Sequence, residues 1–263
     1  MKRLFYILLS ASVISACIGQ VNDPLDESPS VNPGLTGGGP EDEDPGEARV
    51  GVVLDFTATW CVNCPRMNTA VDEAMAERPG KIIPVCVHYM DDLACGDGLE
   101  LVSRFGIQAY PTAIMNFDPG SLTTATSKDL IITKLEAASS LAKAPCSISC
   151  TVDGGEGSVS VSVSAASEGE YRLMAMLLRD GVVAPQTGGS DDYVHNDIFC
   201  GFLQEDPLGE DLGLVAEGTA ASRDYSFSPA EGSLLSEYKI VIVLTEKETG
   251  LLNSASLCGL SGE

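Results

Sequence analysis

The chain has 263 residues, with 38 acidic and 15 basic side chains, a formal net charge of −23, and 7 Phe, 7 Tyr and 1 Trp. So large an acidic excess excludes nucleic acid as a partner, because the phosphate backbone would be repelled. Nine cysteines are a high count, and what they mean depends on the compartment in which the chain works.

Lys2 and Arg3 precede an apolar run at 4–14, followed by Ser15-Ala16-Cys17. A basic start, a short apolar stretch and small residues at the cut form a secretory signal, too short to span a bilayer as a mature helix. Ile14-Ser15-Ala16-Cys17 resembles a bacterial lipobox, which implies removal of residues 1–16 and lipidation of Cys17. Ile18, rather than an acidic residue, follows Cys17, and by analogy this implies an outer-membrane lipoprotein facing the periplasm or the cell surface. Residues 17–47 are rich in Pro, Gly, Asp and Glu and carry no basic side chain. Such a segment cannot bury a core and reads as a flexible acidic tether.

Residues 48–145 read as an α/β domain, with 11 acidic against 8 basic side chains. Segments 50–56 and 81–88 are apolar and bounded by Gly, Pro and charge, as buried strands are. Between them, Met67, Ala70, Val71, Ala74 and Met75 recur at helical spacing over 66–77. Pro65 sits in or beside the first turn, where its missing N–H costs least. A short helix is expected over 98–105, a third strand over 112–117 and a closing amphipathic helix over 128–143. Strands alternating with helices predict an α/β layer fold.

The stretch Thr59-Trp60-Cys61-Val62-Asn63-Cys64-Pro65 joins the first strand to the first helix. It places a cysteine pair at a helix N-terminus, where unpaired N–H groups and the helix dipole favour a thiolate. A thiolate attacks disulfides, so the predicted chemistry is thiol–disulfide exchange. A zinc site needs a second ligand pair, and His88 and His195 lie far apart. No metal or cofactor is therefore expected. A structural pair on an inactive fold stays open as an alternative.

Asp55, the Trp60-Cys61-Val62-Asn63-Cys64 motif and Tyr110-Pro111-Thr112 together resemble the thioredoxin superfamily. The resemblance implies an exposed attacking thiol at Cys61 and a resolving thiol at Cys64. It also implies that Asp55 is a buried carboxylate that accepts the resolving proton. Pro111 would be a cis proline against the pair, the backbone of Tyr110 would receive an extended substrate, and Trp60 would shield one side. Val62-Asn63 differs from the intervening pairs of the best-known reductants and oxidants, so the direction of transfer is not legible.

In an exported protein the six remaining cysteines, Cys86, Cys95, Cys146, Cys150, Cys200 and Cys258, are candidates for structural disulfides. Cys86 and Cys95 could bridge locally. If 147–149 is extended, Cys146 and Cys150 lie about 13 Å apart, too far to bond to each other. Each would then pair elsewhere, with Cys200 and Cys258 available.

From 146 to 263 the chain changes character, with 19 acidic against 5 basic side chains. Ser158-Val159-Ser160-Val161-Ser162-Val163-Ser164 alternates with period two, so one face is buried and the other wet. Segments 170–178 and 238–244 read as further strands, and a polar stretch at 182–197 interrupts them. The expectation is an all-β, antiparallel sandwich-like domain with its own core. Glu205-Asp206 and Glu210-Asp211 lack a calcium-loop spacing and read as solubilising charge. The cysteine-pair domain followed by a β-rich region with Tyr193-Val194-His195-Asn196 resembles the outer-membrane-protein-28-related lipoproteins, with His195 read as a structural rather than a catalytic residue.

Together these features predict a membrane-anchored, extracytoplasmic thiol–disulfide oxidoreductase. It would act on thiols or disulfides of exported proteins with an unidentified redox partner. The alternative is a non-catalytic surface lipoprotein whose β domain binds a partner, with the redox fold kept as scaffold. Its mark would be a Cys61–Cys64 bond that stays oxidised and unreachable.

Overall fold

A computed structural model describes residues 49–140, 144–153 and 157–259. The expected signal segment, Cys17 and the tether lie outside the described residues. Strand β1 (Gly51–Thr57) leads through helix α1 (Cys64–Glu77) to β2 (Ile82–His88), which pairs parallel to β1. Helix α2 (Gly96–Phe105) leads to β3 (Thr112–Met115), antiparallel to β1, and α3 (Lys128–Ser139) follows. The third strand ends earlier than expected because Asn116 and Phe117 take positive φ, 53° and 59°. Asn116 is buried there, accepting from the Val52 N–H and donating to Ser139, so a strand end becomes a brace between β1 and α3.

The strands that follow are β4 (Ser147–Asp153), β5 (Ser158–Ser164), β6 (Gly169–Arg179), β7 (Val182–Ala184) and β8 (Tyr193–His195). They continue with β9 (Ile198–Phe202), β10 (Glu210–Val215), β11 (Ala220–Ser226), β12 (Tyr238–Glu246) and β13 (Leu252–Gly259). They do not form a separate body. One sheet runs β13-β12-β6-β9-β2-β1-β3, with β10 beside β6, so β9 joins the C-terminal strands to β2. The sandwich expected for 146–263 is present, because β11-β5-β4 packs over the other part of this sheet. Its larger sheet is the extension of the α/β sheet.

Side-chain alternation explains the layers. Val52, Leu54 and Phe56 of β1 share one buried face with Met174, Met176 and Leu178 of β6 and with Val241 and Val243 of β12. Leu101 and Phe105 of α2 pack on that face. On the opposite face, Val53, Ala113 and Met115 meet α1 and α3, whereas Leu173, Ala175 and Leu177 meet Val159, Val161 and Val163 of β5. The point near 145 is thus a change of covering layer over a shared sheet.

Cys150 bonds to Cys258, fastening β4 to β13, a pairing that the sequence left among its alternatives. The other four candidates are free thiols, a correction to their reading as structural disulfides. Cys86 and Cys95 cannot bridge because Cys86 lies on the α1 face of β2, lining a pocket with Asn68, while Cys95 packs into the core on the α2 face. Cys146 is buried beside Tyr171, its amide donating to Asn253 Oδ1 at 2.9 Å. Cys200 sits in β9 with its thiol directed to the Ile198 carbonyl. Of the acidic pairs, Asp206, Glu210 and Asp211 are taken up by ion pairs with Arg172, Arg223 and Lys247.

Candidate active site

Cys61 and Cys64 are joined as a disulfide where β1 hands over to α1. Cys64 is the first helical residue, Pro65 follows it in the first turn, and Cys61 lies ahead of the cap residue Asn63. Cys61 is only 4% exposed in this oxidised form, which corrects the expectation of an exposed thiol. Ala58 and Tyr110 pack against the pair, and the segment 186–188 closes over its backbone.

Asp55 lies on β1, the strand that leads into the cysteine loop, 1% exposed and with Oδ1 lacking a hydrogen-bond partner. Burial, reinforced by the Asp72 carboxylate, pushes its carboxyl up to about 8. A buried acid poised near neutrality is suited to taking and releasing a proton. Pro111 is buried, the Tyr110–Pro111 peptide is cis, and Asn63, Arg66, Tyr110 and Pro111 line an open cleft beside the pair. Trp60 is 48% exposed beside the site rather than in the core. Its ring meets Tyr110 edge-on at 5.6 Å, Tyr110 stacks on Tyr89 at 5.1 Å, and its Nε1 donates to the Tyr89 carbonyl.

The structure adds residues that sequence reasoning did not assign to the site. The polar stretch 182–197 folds as a small β7–β8 hairpin. Its connection reaches back over the cysteine loop. The Gln186 side-chain nitrogen lies 3.0 Å from the Cys61 carbonyl and 3.3 Å from that of Ala58. The Thr187 amide donates to the Thr59 carbonyl at 2.8 Å. Gly188, at φ +81°, passes so close that a Cβ would stand 2.3 Å from the Val62 carbonyl oxygen, so only glycine fits. A strap from the C-terminal half therefore holds the backbone of residues 58–62.

The two histidines, distant in sequence, meet behind this strap. The His88 and His195 rings lie 5.3 Å apart, and Tyr193 contacts His195 at 4.8 Å. His88 Nδ1 bonds to Asp91 Oδ2 at 2.8 Å, and Asp91 also accepts from the Thr59 and Leu93 amides. Burial opposes ionisation of Asp91, but the His88 contact and the two amides outweigh it and hold the carboxyl below its usual range. Burial, with His88 adjacent, holds His195 down. His195 is thus buried rather than on a surface loop, and its Nε2 has no hydrogen-bond partner. Within the polar stretch, the segment 182–190 carries no charge, and that was the one cue in sequence that it covers something.

Residues 46–137 match the thioredoxin family. These residues form a thioredoxin-like α/β domain. A relative, protein disulfide isomerase-like 5-3 of Oryza sativa subsp. japonica, is 31% identical over 86 residues, which is 32% of this chain. The match spans about a fifth of that relative's length, 19%. HBP35 of Porphyromonas gingivalis aligns in three dimensions over 81% of this chain and 76% of its own, at 18% identity and a TM-score of 0.68. Protein AGR_C_4864 from Agrobacterium tumefaciens aligns over 83% of this chain and 97% of its own, at 16% identity and a TM-score of 0.58. Both likenesses extend past the thioredoxin domain into the strand-rich region, and at these identities they speak to fold alone. A domain of the outer membrane lipoprotein Omp28 from Porphyromonas gingivalis is also a structural neighbour, at a TM-score of 0.30.

Proposed function

We propose that the protein is a thiol–disulfide oxidoreductase working through Cys61 and Cys64. The observation that carries this reading is the closed Cys61–Cys64 pair at the start of α1, with the buried Asp55 carboxyl on the strand that leads into it. Once reduced, Cys61 attacks a substrate disulfide and forms a mixed disulfide, and Cys64 then displaces the substrate. Asp55 takes the Cys64 proton and makes Cys64 the better nucleophile. Tyr110 and Pro111 line the cleft through which an extended segment reaches Cys61, and Trp60 packs against Tyr110.

The partners under this reading are thiols or disulfides of exported proteins together with a separate redox partner. The lipobox Ile14–Cys17 supports export and anchoring in the outer membrane through lipid on Cys17. Among the described residues no helix is long and apolar enough to cross a membrane. Cys17→Ser is expected to release the protein from the membrane fraction.

The test of the activity is turnover of a model peptide disulfide by the reduced full chain. Cys61→Ser abolishes turnover, and Cys64→Ser stalls it as a trapped mixed disulfide. Activity that survives Cys61→Ser refutes the assignment. One observation favours the scaffold reading instead, the 4% exposure of Cys61 under the strap. Under that reading the pair stays oxidised in mild reductant and resists alkylation.

A further inference from the structure

We propose that Asn68 of α1 and Tyr193 of β8 are positioning residues that set the proton affinity of Asp55, and that the polar cavity beside them is its way out to solvent. This rests on the oxidoreductase reading above. It gives the C-terminal region a part in the redox step that the thioredoxin domain does not supply.

Asn68 lies one turn into α1, between Asp55 and Tyr193. Its carboxamide has one orientation that satisfies both of its ends. With its nitrogen towards the Tyr193 hydroxyl, its oxygen would face only acceptors, Asp55 Oδ2 and the Cys64 carbonyl. Turned over, its nitrogen donates to Asp55 Oδ2 at 2.9 Å and to the Cys64 carbonyl at 3.2 Å, while its oxygen accepts from Tyr193 at 3.0 Å. That orientation favours the carboxylate form of Asp55. The Tyr193 hydroxyl, donating to the amide oxygen, holds the amide in that orientation. Asn68 and Tyr193 together therefore keep a hydrogen-bond donor on Asp55.

A cavity of about 70 Å³ opens beside this triad, lined by Asp55, Asn68, Asp72, Cys86, Tyr193 and Asn196. It is polar and well above the ~10–15 Å³ that one water needs. Asp55 borders it, and its Oδ1 has no hydrogen-bond partner. The titratable groups facing Asp55 are few. Cys86 from β2 is pushed well up by burial and stays neutral. Tyr193 is raised by burial and also stays neutral. Asp197 is held against Lys239 of β12. Asp72, exposed on α1, stands as the charged group that couples the cavity to bulk water.

The step balances as follows. With substrate bound to Cys61 as a mixed disulfide, Cys64 gives its proton to the Asp55 carboxylate. The Cys64 sulfur bonds to the Cys61 sulfur, and the Cys61–substrate bond breaks. Substrate leaves as a thiolate and is protonated by water. Two electrons pass from the enzyme dithiol to the substrate, and Asp55 returns its proton through the cavity.

The test is a single-turnover measurement of mixed-disulfide resolution against pH, using the reduced full chain and a model peptide disulfide. Asn68→Leu removes the donor to the carboxylate. It is expected to move the Asp55 midpoint up by about one unit, which slows resolution about tenfold at pH 7. Tyr193→Phe moves it the same way by less, and Asp72→Asn moves it down by removing a nearby negative charge. Infrared titration of the Asp55 carboxyl in the oxidised protein reads the same midpoints without catalysis and covers a variant that turns over poorly. Midpoints unchanged in both Asn68→Leu and Tyr193→Phe, with wild-type turnover intact, overturn the proposal. A wild type that exchanges no disulfide overturns the oxidoreductase reading instead.

Discussion

The replacement Asp55→Asn is the sharpest test of the buried carboxyl, because its effect on stability has an unusual sign. The Asp55 carboxyl rises from an ordinary 3.8 to about 8 in the folded protein. Below pH 3.8 both folded and unfolded chains hold the proton, so Asp55 adds no pH dependence. As pH rises toward 8 the unfolded chain has lost it and the folded chain keeps it, so unfolding releases a proton and stability falls. Above that midpoint both are ionised and the deficit is constant. A gap of about four units at ~1.36 kcal/mol each gives a deficit on the order of 5 kcal/mol, less whatever water in the adjoining cavity relieves. Asparagine has nearly the same shape and does not titrate. Urea unfolding of the oxidised protein, in which Cys64 is bonded and silent, should therefore show wild type and variant equal near pH 4. The variant should become progressively more stable toward pH 9, while in the reduced protein the same substitution slows mixed-disulfide resolution. Stability curves that stay parallel across this range refute the raised carboxyl.

Other parts of the structure make separate predictions. Breaking the Cys150–Cys258 bond with Cys150→Ser opens a connection between residues 108 apart, and denaturant unfolding should show a loss of roughly 4–5 kcal/mol by chain entropy. Gly188→Ala forces the strap away from the Val62 carbonyl, and Gln186→Ala removes its bonds to Cys61 and Ala58. Hydrogen exchange at the amides of 58–62 should speed by about an order of magnitude in each, from the loss of about 1–2 kcal/mol of local bonding. In a Cys17→Ser protein denatured without reductant, alkylation should mark four of the described cysteines, Cys86, Cys95, Cys146 and Cys200. A peptide map showing Cys86 bonded to Cys95 contradicts the placement of these two thiols on opposite faces of the sheet.

The site's inner half was legible because its signals are local. Asp55 at a strand end, the cysteine pair before a helical stripe and Tyr110-Pro111-Thr112 before a strand each fix their own geometry, and the structure brings them together. The outer half was hidden because its contacts span the chain. Gln186 bonds to a carbonyl 125 residues earlier, and Tyr193 meets Asn68 at the same separation of 125 residues. No periodicity in 182–197 announces such partners. The union of the two halves in one sheet was hidden for the same reason, since it depends on β9 pairing with β2. Alternation along 158–164 revealed a buried face but not what buries it. The cysteine count misled because parity cannot see faces: Cys86 and Cys95 are nine positions apart with a sheet between them.

The central claim is that Cys61 and Cys64 cycle between disulfide and dithiol. Trp60, the chain's single tryptophan, adjoins Cys61, so its fluorescence reports the state of the pair. The decisive measurement is equilibration of the full chain in graded thiol–disulfide buffers while that fluorescence is followed. A single two-electron transition is predicted between roughly −120 and −270 mV, the span of thiol–disulfide oxidoreductases, and it should vanish in Cys61→Ser. A pair that stays oxidised throughout that span contradicts the account.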